Sequence, residues 1–282
     1  MKILRSMVGK MGAFAGLHTS SSLRGGTRGS AKGADGRSGL IYFRKSPYIR
    51  NFGDESSQYV VRFMSEKFGL QYSTLSKRLL AVGSILHMAQ DGDTIWGTGV
   101  NGKVEKVLHR FQSLDVRAVR GPVTRDYLAG MGIQSPEVYG DPGMMISSVF
   151  PPVKKRQGLA LLIPNYNDFH LFEEQESGVR IVSPFTDLKT ITELISSAEI
   201  VFSSSLHGLV FAEAYGVPAV LLLPAGHAES IVKYEDYYYG SGRRAFPVAT
   251  SLNEALRISP VSLPSEAAAS SLVSKFPKDL FC

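Results

Sequence analysis

The richest chemistry in the sequence lies in the run Ser203-Ser204-Ser205-Leu206-His207-Gly208. It follows an apolar stretch that reads as a buried strand and leads into Leu209-Val210-Phe211-Ala212-Glu213-Ala214-Tyr215, which reads as a helix. Hydroxyls, the free backbone amides of a helix mouth and an imidazole therefore converge on one point. Such a point suits binding an anion and moving a proton beside it. Two other readings stand beside this one. The run is a capping cluster around a structurally bonded histidine, or it holds a serine nucleophile paired with His207. The nucleophile reading lacks the G-x-S-x-G spacing of a strained strand-to-helix elbow.

Three further segments carry charge, two of them at the ends of strands. Asn51-Phe52-Gly53-Asp54 puts a glycine and a carboxylate at a helix mouth, where Asp54 serves either as N-cap or in catalysis. Val119-Arg120-Gly121-Pro122 takes an arginine off a strand end, where its planar fork suits a carboxylate or phosphate. The stretch 233–244 mixes charges with four tyrosines and reads as a loop; its tyrosines suit sugar faces or interface padding, and Arg243 adds a second positive charge to a cleft. Gly97-Thr98-Gly99-Val100-Asn101-Gly102 fits G-x-G-x-x-G, the fingerprint of dinucleotide binding. However, Asn101-Gly102 favours a turn over a helix opening, and no acid ends the next strand to hold a ribose. The segment reads as a glycine-rich loop at the cleft.

Short apolar runs alternate with helical patterns from residue 40 onward, which is the signature of a parallel sheet covered by helices. Strands are expected at 40–43, 79–82, 94–96, 116–119 and 137–139, with helices opening at 51–54 and spanning 124–129. Pro151, Pro152 and Lys154-Lys155-Arg156 interrupt the pattern, placing a joint near 148–157. It restarts with strands at 159–163, 180–182, 200–202 and 219–223 and helices at 188–197 and near 207–215. The expected fold class is α/β, with two Rossmann-like domains facing a cleft. The domains are 40–150 and 157–250, preceded by a disordered or targeting leader at 1–39 and followed by a helix or tail at 251–282. Ligands of open parallel sheets bind beyond the carboxyl ends of the strands, where the Ser203 and Asn51 segments lie.

Composition narrows the function classes. Residues 1–40 hold seven Lys or Arg and a single acid, so this segment alone accounts for the net charge of +6. With the body formally neutral and no basic stripe interleaved with aromatics, nucleic acid is not an expected partner. The basic, Ser-rich leader reads as an organelle transit peptide or as a disordered tail. The single cysteine, Cys282, permits no intrachain disulfide, and the six histidines show no tight metal-ligand spacing, so no metal is expected. No apolar run is long enough to span a bilayer.

The order of these motifs, N-F-G-D at Asn51, G-T-G-V-N-G at Gly97, V-R-G-P-V-T-R-D at Val119, V-Y-G-D-P at Val138, S-S-S-L-H-G-L-V-F-A-E-A-Y-G-V-P at Ser203 and K-Y-E-D-Y-Y at Lys233, resembles the polysaccharide pyruvyl transferase family. The similarity spans about residues 40–245 and is strongest to bacterial exopolysaccharide ketal-pyruvate transferases. It implies an architecture similar to glycosyltransferase B, phosphoenolpyruvate as donor substrate without a further cofactor, and a saccharide or lipid-linked glycan as acceptor. It implies a cytoplasmic enzyme in a bacterium, or an organelle or Golgi enzyme if the leader is a targeting segment. His207 is then the acid that protonates the donor methylene, Asp54 the base, Arg120 the carboxylate or phosphate clamp, and Arg243 an added charge. Ser204, Ser205 and the helix-mouth amides near Asn51 and Gly53 bind substrate. Several family members carry arginine at the position of Ser205, so another cation must replace it here. Two alternatives remain open: a nucleotide-sugar glycosyltransferase in which Glu213 holds a ribose, and a carbohydrate-binding relative without turnover.

Overall fold

The computed structural model describes residues 28–30, 39–43, 51–72, 75–172, 178–264 and 266–281. Most of the leader expected at 1–39 lies outside them, as does Cys282. Two five-stranded sheets form the frame. In the first, β1 (Arg28–Ser30) runs antiparallel to β2 (Leu40–Phe43), which continues in parallel through β3 (Leu79–Leu80), β4 (Thr94–Trp96) and β5 (Asp115–Ala118) in chain order. The second is wholly parallel, in the order β10 (Val248–Ala249), β9 (Ala219–Leu222), β8 (Ile200–Ser203), β6 (Ala160–Ile163), β7 (Val179–Ile181). Strands such as Leu40-Ile41-Tyr42 and Ala219-Val220-Leu221-Leu222 are buried without alternation, as expected where helices cover both faces.

The helices divide by their surroundings. Helix α1 (Phe52–Lys67) follows β2, while α2 (Pro122–Ala129) and the single turn α3 (Ile146–Val149) follow β5. Helix α4 (Leu188–Ser197) shows a plain amphipathic pattern, burying Leu188, Ile191, Leu194 and Ile195, and Asp187 caps it by accepting from Thr190 N at 3.0 Å. Helix α5 (Leu206–Ala214) has no polar face, because every residue from Leu206 to Glu213 is buried. It lies between its own sheet and α1, with the Phe52 and Phe211 rings 5.6 Å apart. One continuous core therefore includes residues of both sheets, Leu40 and Trp96 on one side and Leu161 and Val201 on the other.

Later segments return to the first sheet. Helix α6 (Val232–Gly240) packs against α2. Beyond the single turn α7 (Leu252–Ala255), helix α8 (Glu266–Ser274) brings Leu272 O to Trp96 Nε1 at 2.9 Å, and Ser76 N donates to Leu280 O at 2.8 Å.

Two expectations are corrected. Residues 137–139 form only an isolated parallel bridge, Val119 to Tyr139, because Pro136 and Pro142 flank a segment too short to extend. The stretch 233–244, expected as a loop, is helical to Gly240 and turns only at Gly242, whose φ is +83°. Buried tyrosines and charges occupy several of its faces, which hides the helical period.

Candidate functional site

In the second sheet the order reverses between β6 and β8, so the chain leaves these adjacent strands toward opposite faces. A crevice opens at the carboxyl ends of strands at such a switch point. The loop 164–167 after β6 and the Ser203 run after β8 meet there. A pocket of about 1340 Å³ lies over them, and its remaining wall comes from segments after β2, β3 and β4, with Pro184 after β7 and Glu229 and Lys233 after β9.

The serines divide their work. Ser203 Oγ donates to Ile163 O at 2.6 Å and accepts from Ser205 N at 3.0 Å, binding β8 to β6. Ser204 Oγ accepts from Asn165 N at 2.8 Å, while Ser204 O accepts from Tyr234 Oη at 2.6 Å. Only Ser205 lines the pocket, at the N-cap of α5, where its side chain makes no capping bond. Gly208 must lack a side chain, because a Cβ there would meet Ser203 Oγ at 2.2 Å.

His207 stands in the first turn of α5, lines the pocket and is 8% exposed, and its Nε2 has no hydrogen-bond partner among the described residues. Burial, with the positive fields of Lys233 and Arg120, drives its pKa from 6.5 down to about 3, so the ring is neutral at physiological pH. Gly53 is the reason the ring fits, since a Cβ at that position would lie 2.0 Å from His207 Nδ1.

Asp54 faces the same pocket from the first turn of α1. It is not the cap: Asn51 takes that role, accepting from Gly53 N at 3.2 Å and donating through Nδ2 to the Asp54 carboxylate. Burial raises the pKa of Asp54 from 3.8 to about 7; Lys233 opposes the rise, and Asp141, Glu55 and Glu229 add to it. The carboxyl and the imidazole thus have their pKa values pushed past each other, which is the pattern of an acid and base pair.

Three other predicted site residues lie outside the pocket lining. Arg120 has no exposed surface; it pairs with Asp236 at 3.0 Å and donates to Ser84 Oγ at 2.6 Å and Val100 O at 2.8 Å. It braces the floor of the pocket, and Gly99 leaves room for its guanidinium. Glu213 is six residues beyond His207, about 240° around the helix, so its carboxylate faces away toward α6. There it receives Arg243 at 2.7 and 2.9 Å together with Tyr237 Oη. Arg243 lies against the rings of Tyr237 and Tyr238, which are buried, as is Tyr234.

The cations at the pocket come from elsewhere. Lys233 lines it from α6, paired with Glu229, and burial lowers its pKa. Glu229 also accepts from Lys103 at 2.6 Å and from Asn167 Nδ2 at 2.9 Å. Burial pulls the Glu229 pKa upward, but Lys233 and Lys103 outweigh it and lower the value to about 2. Sequence reasoning assigned Lys233 no role. The signal was present in Lys233 and Asp236, three apart on a helix face, and in Glu229 four residues before Lys233. Among the described residues no group of three His, Cys, Asp or Glu is arranged to hold a metal, and no helix is long and apolar enough to cross a membrane.

Among known protein families, residues 40–225 match the one described as Polysaccharide pyruvyl transferase. The succinoglycan biosynthesis protein ExoV of Rhizobium meliloti is 24% identical over 221 residues, 71% of this chain. The chain spans 66% of the length of that relative. The crystal structure of a functional uncharacterized protein from Klebsiella pneumoniae aligns over 76% of this chain and 93% of its own, at 12% identity. Its TM-score is 0.40, which carries no argument about the site.

Proposed function

The chain belongs to the polysaccharide pyruvyl transferase family, and from that premise we propose that it transfers the enolpyruvyl group of phosphoenolpyruvate to paired hydroxyls of a saccharide. The products are a pyruvate ketal and inorganic phosphate. In this reading the two sheets are Rossmann-like halves of a cleft similar to that of the glycosyltransferase B architecture. The observation that carries it is a proton-holding Asp54 and a neutral His207 lining one pocket with Lys233 and Lys103. A carboxylate-phosphate donor needs those cations, and addition to its double bond needs a proton donor and a proton acceptor.

The pKa values exchange the roles implied by the resemblance. Asp54 gives its proton to the donor methylene while the first saccharide oxygen bonds to the adjacent carbon, and His207 Nε2 takes that hydroxyl's proton. Phosphate then leaves with the electron pair of its C–O bond and the proton held by His207. The second hydroxyl attacks the same carbon, and Asp54 recovers a proton from it. Both groups return to their starting states. The bound anion itself assists, because negative charge beside Lys233 raises both pKa values, keeping Asp54 protonated and making His207 more basic.

Glu213, needed as a ribose ligand in the glycosyltransferase alternative, is occupied by Arg243 and Tyr237. The test is phosphate release from phosphoenolpyruvate across an acceptor panel. Release that requires an acceptor and falls ~100-fold or more in His207→Ala is expected. An unchanged rate in that variant refutes the mechanism.

A further inference from the structure

The pocket of about 1340 Å³ exceeds the ~300–1,000 Å³ typical of sites that enclose one small ligand. The charged side chains of its lining, Asp54, Lys103, Arg110, Glu229 and Lys233, leave two stretches without a formal charge: 84–90, and the tyrosine-bearing wall formed by the loop 164–167 with Pro184 beside it. We infer that this wall, with the Tyr166 ring as platform and the Asn165 and Asn167 amides at its edge, is a saccharide subsite. The inference rests on the transfer reading above, to which it adds the place where the acceptor binds.

Two features favour a sugar ring there. A pyranose has apolar C–H faces and hydroxyl edges, so it suits an aromatic face flanked by neutral amides. The wall is also held in shape before any ligand arrives. Phe185 packs against Tyr166 at 6.2 Å and 63°, and Phe169 in turn against Phe185 at 6.4 Å and 88°. Asn165 Oδ1 accepts from Asn167 N at 2.9 Å, which closes an Asx turn across Tyr166. Asp168, fully buried, accepts from Ala228 N at 2.8 Å and so ties this loop to the segment carrying Glu229. Asn167 Nδ2 reaches Glu229, the partner of Lys233, so the platform adjoins the cationic end of the pocket. A tyrosine so held offers broad contact at small entropic cost. Tyr234, Tyr237 and Tyr238 are buried in the core and offer no such face.

The test is saturation-transfer NMR on the full chain with a panel of neutral hexose oligosaccharides and, separately, uridine diphosphate, all without phosphoenolpyruvate. Tyr166→Leu keeps bulk and removes the ring, whereas Tyr166→Phe keeps the ring. The expected result is saccharide binding weakened about ten-fold in Tyr166→Leu and changed less than about two-fold in Tyr166→Phe. Equal binding by wild type and Tyr166→Leu overturns the inference, as does binding of uridine diphosphate alone or of no saccharide in the panel. Phosphate release distinguishes the two proposals. Turnover with an unchanged acceptor KM in Tyr166→Leu removes the subsite and leaves the transfer reading. Ring-dependent saccharide binding without phosphate release leaves the subsite and removes the transfer reading.

Discussion

Replacing Asp54 by asparagine separates its proton from its shape. The amide is nearly isosteric and can still accept from Asn51 Nδ2, so the substitution removes chiefly the ionisation. In the unfolded chain Asp54 ionises near 3.8, and in the folded one near about 7. Between those values the folded state holds one more proton, so the contribution of Asp54 to stability is full below pH 3.8 and is lost as pH rises through 7. The complete loss is about 4 kcal/mol, of which about 2.7 kcal/mol falls between pH 5 and 8. Asp54→Asn carries none of it. Urea unfolding of both proteins at pH 5, 6, 7 and 8 should show the variant gaining on wild type by that amount, with the gain levelling off above pH 7. Activity moves the other way: kcat falls ~100-fold or more, since an amide donates no proton to carbon. The wild-type decline above about pH 7 is absent from the residual rate. A stability difference that stays constant from pH 5 to 8 refutes the raised pKa, and an alkaline limb retained in Asp54→Asn refutes Asp54 as the acid.

Three other substitutions test the remaining parts. Gly53→Ala ordinarily favours a helix by ~0.5–1 kcal/mol, but its Cβ would lie 2.0 Å from His207 Nδ1; calorimetry should record a lower Tm and kinetics a reduced kcat, and a Tm at or above wild type contradicts the packing. Lys233→Met should raise the donor KM ~10-fold or more while leaving the acceptor KM unchanged, because one desolvated charge contact to an anion is lost. It should also move the alkaline limb upward, since Lys233 holds the Asp54 pKa down; a downward shift contradicts that coupling. Arg120→Met leaves Asp236 buried and unpaired, so chemical denaturation should show a loss of ~3–5 kcal/mol. A selective rise in donor KM at unchanged stability would return Arg120 to the role of an anion clamp.

The frame was legible where burial is one-sided or complete over a short run. Leu40-Ile41-Tyr42-Phe43 and Ile200-Val201-Phe202 read as strands, and α4 reads to its observed ends because its apolar stripe is intact. The pocket wall was legible in part, since Asn51, Asp54, Ser205 and His207 all follow strands at their carboxyl ends. Helix α6 was not. It packs against α2 and is bonded to Arg120, Ser204 O and Glu213, so the charged Lys233 and Asp236 are buried while Tyr239 is exposed, and polarity does not follow burial around the helix.

The same helix explains why the charged residues were misread. Arg120, Arg243 and Glu213 are charges whose partners lie 116 and 30 positions away, a fact no local pattern contains. A strand-end arginine looks free until Asp236 is brought beside it. Lys233 and Asp236 then divide two jobs along one helix face. Asp236 accepts from Arg120 and from Thr124 N and Oγ1, which fixes α6 on the first sheet, while Lys233 meets Glu229 at the pocket. The fields acting on Asp54 and His207 both contain Lys233, so the separation of their pKa values depends on that docking. Weakening the Arg120–Asp236 brace therefore reaches the proton chemistry without touching a residue of the pocket wall.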